Sequence, residues 1–409
     1  MSESAHHFAS IRDPGPLRAP KLRLAAWGLV LIGALTFGGL LLGDHQSQER
    51  AWSSFLQGML IPTFIGIAAL FFIAVHGVTN AKWLIPLRRL MEGLSSGLLL
   101  TLVAFIVLAY FGSSYLYDWI HLSGDAHQHL FHVHHGSKSS MMNWSRWVVT
   151  NAAIILLWLW FRYRLVRLSV DQDASGADIR ARHRRISIAF LPVFALGITF
   201  FVWDLLLSLH VNWFSTMWGV YCFTSAVQTF LCVLILFMVW LRRGPMNQVI
   251  QEHTVHDVGT WMVGWSCFCA YIGFSQYMLI WYANLDEETF FYVIRGQHGY
   301  GLAYAIEALI RWPLVFLGLM SQSLRTKPWA LVTIAIAALV GNWMDWSWII
   351  MPAFSPNEYR GPYSWQELGV GAGFAGGFLL LALRFWAKNG LIPKGEPRLL
   401  PTVNAEHLH

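Results

Sequence analysis

Four charged side chains, Asp204, Glu307, Arg311 and Asp345, stand inside stretches otherwise apolar enough to lie in lipid, and His76 and Asp257 stand toward the opposite ends of theirs. An ionisable group at the centre of a bilayer costs at least ~2.5 kcal/mol, so such residues usually line a route for protons, ions or substrate. Glu307 and Arg311 are four residues apart with the acid first, the favourable order for a helical pair. The rise of a helix sets Glu307 about 6 Å nearer the outside than Arg311. A pair of this kind lowers the cost of burying either charge. Two readings stay open: a static ion pair, or a gate in which a proton arriving on Glu307 frees Arg311 to move. Asp204 and Asp345 stand a little over a turn before the outer ends of their stretches, with Asp118 at the outer end of another. His76, His253, His256 and Asp257 gather at the opposite ends. The expected arrangement is an outer and an inner half-path for protons, divided by an apolar middle that Arg311 bridges. Asp118 and His253 read as caps or headgroup contacts.

Asp204, His210 and Trp213 supply what a quinone site needs, an aromatic wall beside groups that take protons. Interfacial belts account for most of the 22 tryptophans. His121, His127, His129, His132, His134 and His135 crowd one loop. Histidines so spaced can bind Zn, Cu or Ni, or buffer protons. A solvated polar loop is the preferred reading, because no acid or cysteine completes a ligand set, and no metal site is expected. Cys222, Cys232, Cys267 and Cys269 all fall within apolar stretches, and no spacing fits covalent haem or an iron–sulfur cluster. Packing is the role expected of them.

The chain is 56% hydrophobic and 12% charged, with a mean hydropathy of +0.47, against roughly 25% charged in a soluble domain. An all-α integral membrane protein is expected. Stretches of about 20 apolar residues occur near 24–43, 55–78, 93–117, 147–165, 187–209, 215–241, 259–283, 300–322, 329–350 and 367–386, ten spans in all. Residues 1–23 form an N-terminal tail, 24–386 the transmembrane domain and 387–409 a C-terminal tail. Leu35-Thr36-Phe37-Gly38-Gly39 offers no small-x-small cleavage site, so the first span is expected to be retained. With a cytoplasmic N-terminus, 22 Lys and Arg fall inside and 5 outside, Arg311 lying within the membrane. Both termini are therefore expected in the cytoplasm. The pI near 9.2 follows from that distribution and from contact with anionic lipid, and implies no nucleic-acid partner. Arg162 to Arg185 reads as a basic loop against lipid. Leu285-Asp286-Glu287-Glu288-Thr289 reads as an acidic outer loop, a weak lead to a basic electron carrier. Gly369, Gly373 and Gly377 give the last span a close-packing face, for another subunit or for a helix of this chain.

Three strings carry a resemblance. Asp204-Leu-Leu-Leu-Ser208-Leu-His210-Val-Asn-Trp213-Phe214-Ser215-Thr216-Met-Trp-Gly219-Val-Tyr221 joins the fifth and sixth spans. Phe274-Ser275-Gln276-Tyr277 through Trp281-Tyr282-Ala-Asn284 to Glu287-Glu288-Thr289 closes the seventh, and Asn342-Trp-Met-Asp345-Trp-Ser-Trp348-Ile-Ile-Met-Pro352 the ninth. With ten spans, the chain resembles the ActF-type subunit of alternative complex III, a bacterial quinol:electron-acceptor (cytochrome c) oxidoreductase, within the wider NrfD/PsrC-like family. Asp286 departs from the pattern, which has Pro before Glu-Glu-Thr. The resemblance implies two four-helix bundles, spans 2–5 and 6–9, with the first and last spans peripheral. It implies a bacterial cytoplasmic (inner) membrane and three kinds of partner: a homologous NrfD-like subunit with the quinol site, an iron–sulfur subunit and haem c subunits. Lipids and quinone or menaquinone are the implied ligands, with no covalently bound cofactor.

The leading expectation is a subunit of a quinol-oxidising complex in which Asp204, Glu307, Arg311, Asp345, His256, Asp257 and His76 form a proton path. A quinone-binding anchor using Asp204, His210 and Trp213 is the second reading, and a proton-coupled secondary transporter the third. A di-haem cytochrome b fits least, since only His76 and His210 lie near spans.

Overall fold

The computed structural model describes residues 14–121, 142–296, 299–354 and 363–403. All regular structure among them is helical, and nine helices are long and apolar enough to cross a membrane. We label the main helices α1 (Pro20–Leu41), α2 (His45–Thr79), α3 (Ile85–Leu116), α4 (Trp144–Ser175), α5 (Arg180–Leu205), α6 (Trp218–Arg242) and α7 (Glu252–Ala283). They continue as α8 (Asp286–Gly296), α9 (Tyr300–Arg311), α10 (Pro313–Met320), α11 (Pro328–Ile350), α12 (Trp365–Asn389) and α13 (Leu399–Val403). The histidine-rich loop lies outside the described residues apart from His121.

Local sequence sets the ends. Pro20, Pro313 and Pro328 open their helices, where a missing N–H is no loss. Asp44 caps α2 by accepting from the Ser47 amide at 3.0 Å, and Ser364 with Glu367 forms a capping box on α12. Asn80 and Asn284 close α2 and α7 in the left-handed conformation. Gly176 ends α4 at φ 62°, and Asp178 then accepts from the Arg180 amide at 3.0 Å. The Arg180 side chain also binds that carboxylate and holds it down at about 2.

Helices α2 and α6 are buried on nearly every side, whereas α1 is buried along one strip. Neighbouring helices in contact run α2, α3, α4, α5 and back to α2, and α6, α7, α9 with α10, α11 and back to α6. The two sets meet where α2 and α5 pack on α6. Helix α12 packs on α1 and α2. A Cβ on Gly33 would collide with the backbone of Gly373, one on Gly369 with Thr36, and one on Gly376 with the Ala26 carbonyl. Gly369 and Gly373 of the last span are thus covered by the first span of the same chain, while Gly377 faces Leu100 of α3.

The structure refines several expectations. The stretch expected to span at 147–165 lies within the 32-residue helix α4, which is not among the nine; polar Asn151 and the arginines at its basic end, Arg162 and Arg164, interrupt its apolar run. The span expected at 300–322 is among the nine, with a break at Trp312, because Pro313 has no N–H to give the preceding turn and its ring clashes there. The supposed loop from Arg162 to Arg185 is mostly helix, since α4 runs to Ser175 and α5 starts at Arg180. The acidic string 286–288 is the first turn of α8, where carboxylates favour the helix dipole. The C-terminal tail is packed: Leu391, Leu399 and Leu400 are buried, and Glu396 binds Arg88 at 3.2 Å.

Candidate functional site

The eighth apolar stretch folds as α9 because its polar groups recur at helical spacing along one side, with Tyr300, Ala303, Glu307 and Arg311 buried. That side meets α11 and α6. Arg311 Nη1 lies 3.2 Å from Glu307 Oε2 and 2.9 Å from Asp345 Oδ2 on α11. Its Nη2 donates to Ser225 Oγ at 2.6 Å, and its Nε to Gln228 Oε1 at 3.3 Å. Gln228 in turn donates to the Arg311 carbonyl at 2.8 Å. That carbonyl sits at the helix break, so the side-chain amide supplies a donor where Pro313 interrupts the ladder.

The two acids are held differently. Asp345 accepts from Tyr221 and Arg311 and, at 3.2 Å, from Ser225. Glu307 has Arg311. Both carboxylates are within 1% of full burial and Arg311 is 6% exposed. Two acids therefore share one guanidinium in the interior. Glu307, Arg311 and Tyr221 also line a cleft of about 810 Å³, whose walls are otherwise mostly apolar and aromatic, Phe274, Tyr277 and Trp312 among them.

Asp204 belongs to a second cluster. Arg146 of α4 binds it with both nitrogens, Nη2 to Oδ1 at 2.7 Å and Nη1 to Oδ2 at 3.0 Å. Asn151 adds a bond to Oδ2 at 2.9 Å, and the Trp147 indole donates to the Asp204 carbonyl at 2.7 Å. No hydrogen bond or ion pair among the described residues joins this cluster to Arg311. The expected single outer half-path is thus two separate polar clusters, on different helix sets.

The expected trio of Asp204, His210 and Trp213 is also divided. Asp204 and Trp213 line a cavity of about 180 Å³ with Arg146, Trp119 and Trp203, but His210 turns away to Arg295. Arg295 is 1% exposed. It donates to the carbonyls of Phe291, Trp348 and Ile349 at 3.1, 3.0 and 2.7 Å, and its Nη2 meets His210 Nε2 at 2.8 Å. The guanidinium carbon stands 3.5 Å from the centre of the Phe291 ring. Burial pushes Arg295 down to about 9, leaving it charged at neutral pH. Burial, with the Arg295 charge second, pushes His210 well below its usual range. The Nε2 lone pair is therefore engaged, and His210 is no ready proton acceptor. Trp213 stacks on Phe291 with ring centres 3.8 Å apart.

On the basic face, His76 packs against Trp83 and Phe72 and bonds the Phe72 carbonyl at 2.6 Å. His256 and Asp257 lie 3.7 Å apart, about a third exposed, with no hydrogen bond between them and His76 among the described residues. The inner half-path is thus not joined as expected. No group of three or more His, Cys, Asp or Glu fit to hold a metal occurs among the described residues.

Sequence reasoning missed Tyr221, Ser225 and Gln228, although their spacing of four and three puts a polar stripe on an apolar helix. It also counted Arg146 and Arg295 as outer loop charges, and these prove to be the partners of Asp204 and His210. Comparison with known protein families and with curated proteins found no match to this chain.

Proposed function

We propose that the chain is the proton-carrying membrane subunit of a quinol-oxidising complex of the alternative complex III type, with Glu307 as the group that takes and releases the proton. The observation that carries this reading is the burial of two carboxylates around one guanidinium. One positive charge balances one carboxylate, and the second is neutral when protonated. Asp345 is held by donors from Tyr221, Ser225 and Arg311. Glu307 has fewer partners and borders the cleft, so it is the exchanging acid. Arg311 moves between serving both acids and serving Asp345 alone as the proton comes and goes. Moving one charge against 100 mV requires about 2.3 kcal/mol, which quinol oxidation on a partner subunit supplies.

The rest of the reading rests on the sequence resemblance. The helix neighbours described above favour two four-helix bundles with α1 and α12 beside them. Ten spans, both termini in the cytoplasm of a bacterial inner membrane, and NrfD-like, iron–sulfur and haem c partners complete it. A second reading, a quinone-binding anchor, is favoured by the aromatic cleft that Glu307 and Tyr221 help to line, which fits a planar ring better than the divided Asp204 and His210 do.

Proteoliposomes of the whole complex test the proposal. Glu307→Gln should keep electron transfer from quinol while losing transmembrane proton movement; unchanged proton stoichiometry would leave Glu307 and Arg311 as a structural pair.

A further inference from the structure

At the basic face a cavity opens between the end of α2, the start of α3, the start of α5 and the chain beyond α12. Gly77, Arg88, Arg180, His183, Glu396 and Arg398 contribute to its wall. His183 is 7% exposed, and its Nε2 has no hydrogen-bond partner. Its Nδ1 lies 3.4 Å from the Ser187 hydroxyl. With Ser187 donating to Nδ1, Nε2 carries the ring proton and is a donor. Gly77 makes this placement possible, since a Cβ there would collide with the His183 ring. Arg88 Nη2 is likewise buried without a partner.

The acids nearby are already occupied. Arg88 holds Glu92 at 3.3 Å and Glu396 at 3.2 Å, Arg398 holds the other Glu396 oxygen at 2.7 Å, and Arg180 holds Asp178 at 2.6 Å. Glu92 and Asp173 also neutralise Arg89. What stays unmatched is a pair of buried donors in a wall with three guanidinium groups and one carboxylate. Such a wall calls for a ligand that only accepts. A water needs ~10–15 Å³, and the cavity offers about 60 Å³, room for a tetrahedral oxyanion.

We propose that this cavity binds a phosphate group, a mono- or diester, held by His183 Nε2, Arg88 Nη2 and the guanidinium of Arg398. The group is either the head of an acidic phospholipid, since the site lies at the rim where anionic headgroups gather, or phosphate free in solution. Because Glu396 and Arg398 come from the C-terminal segment, the ligand would also fasten that segment to α2 and α5.

The purified full-length chain tests this with two probes. In nanodiscs of mixed phosphatidylglycerol and phosphatidylcholine, native mass spectrometry should show phosphatidylglycerol retained selectively if a lipid is the source. Calorimetry with inorganic phosphate should show saturable binding if the source is soluble. Arg398→Gln, with Arg180→Gln as a second variant at the rim, should weaken whichever binding is seen by about tenfold, with the helical circular dichroism of the native chain retained. Binding of neither probe by the native chain, or binding by both folded variants equal to the native chain's, overturns the proposal.

Discussion

Three arginines in this protein do different jobs with the same guanidinium, Arg295 and Arg311 buried and Arg146 partly exposed. Arg146 grips a single carboxylate with both nitrogens, Arg311 divides itself between two, and Arg295 has no acid and rests on backbone carbonyls, a ring face and a neutral imidazole. The last case makes a prediction about pH. His210 accepts from Arg295 only when neutral, and its depressed titration means that the unfolded chain binds a proton near pH ~6.5 that the folded chain refuses. The stability this gives is complete above about pH 6.5 and is lost as the pH falls below it. Thermal unfolding in detergent between about pH 7.5 and pH 5 should show a steeper fall for the native chain than for His210→Gln, whose amide oxygen accepts without titrating; equal slopes would refute it. At this scale the sequence was informative about one pair only. Glu307 and Arg311 were legible because a helix brings residues four apart together. The third member, Asp345, was legible as buried but not as a partner, because no local rule says which face of α11 meets α9. Arg146 and Arg295 were hidden for another reason: counting charges on either side of a membrane cannot tell a solvated loop arginine from one folded back onto a carboxylate, as Arg146 is, or onto carbonyls and an imidazole, as Arg295 is.

Helices meet here by two contrasting means, small residues and bridging polar groups. Between α1 and α12, with Thr36 against Gly369 on one side and Leu29 against Gly376 on the other, the bare backbones of Gly33 and Gly373 come into contact. A side chain at either position must push the helices apart, and overpacking of this kind costs about 1–3 kcal/mol. Gly373→Val should therefore lower the melting temperature and expose the α1–α2 connection to protease, whereas Gly28→Val, facing open space, should do neither. Nine of the ten expected spans coincide with helices long and apolar enough to cross, because lipid demands about 20 residues whatever the partner, but α2, α3, α5 and α7 start about two turns or more before the apolar run, at His45, Ile85, Arg180 and Glu252. Interruptions were harder. The break before Pro313 was foreshadowed by the proline, but Pro62 and Pro192 lie inside helices that continue, so proline by itself does not say where a span parts. The difference lies in the neighbours, with Gln228 on hand to satisfy the carbonyl that the break frees.

As a whole, the molecule separates its charges by face. The turn between α4 and α5, the α2–α3 connection and the segment after α12 bring arginines to one face, while the acids of α8 open the other. If the membrane lies between, a membrane-impermeant maleimide should label Ala177→Cys and Glu287→Cys from opposite sides of sealed vesicles, and labelling of both from one side would reject the topology. Both positions are exposed, and three of the four native cysteines are buried, which keeps the background low. Charge counting assigned the faces, but it gave no hint that the chain beyond α12 is packed, since its anchors, Glu396 on Arg88 and Gly395 on Asp173, join positions more than 200 residues apart. The same long reach gives the Arg295 contacts a mechanical meaning. Trp348 and Ile349, whose carbonyls receive this arginine from α8, follow Asp345 by three and four residues and so share its helical turn. Surface helix and buried acid are geared together: a load that tilts α8 is transmitted as strain to the turn that presents Asp345 to Arg311, and a shift of that turn is felt in return as a tug at the surface.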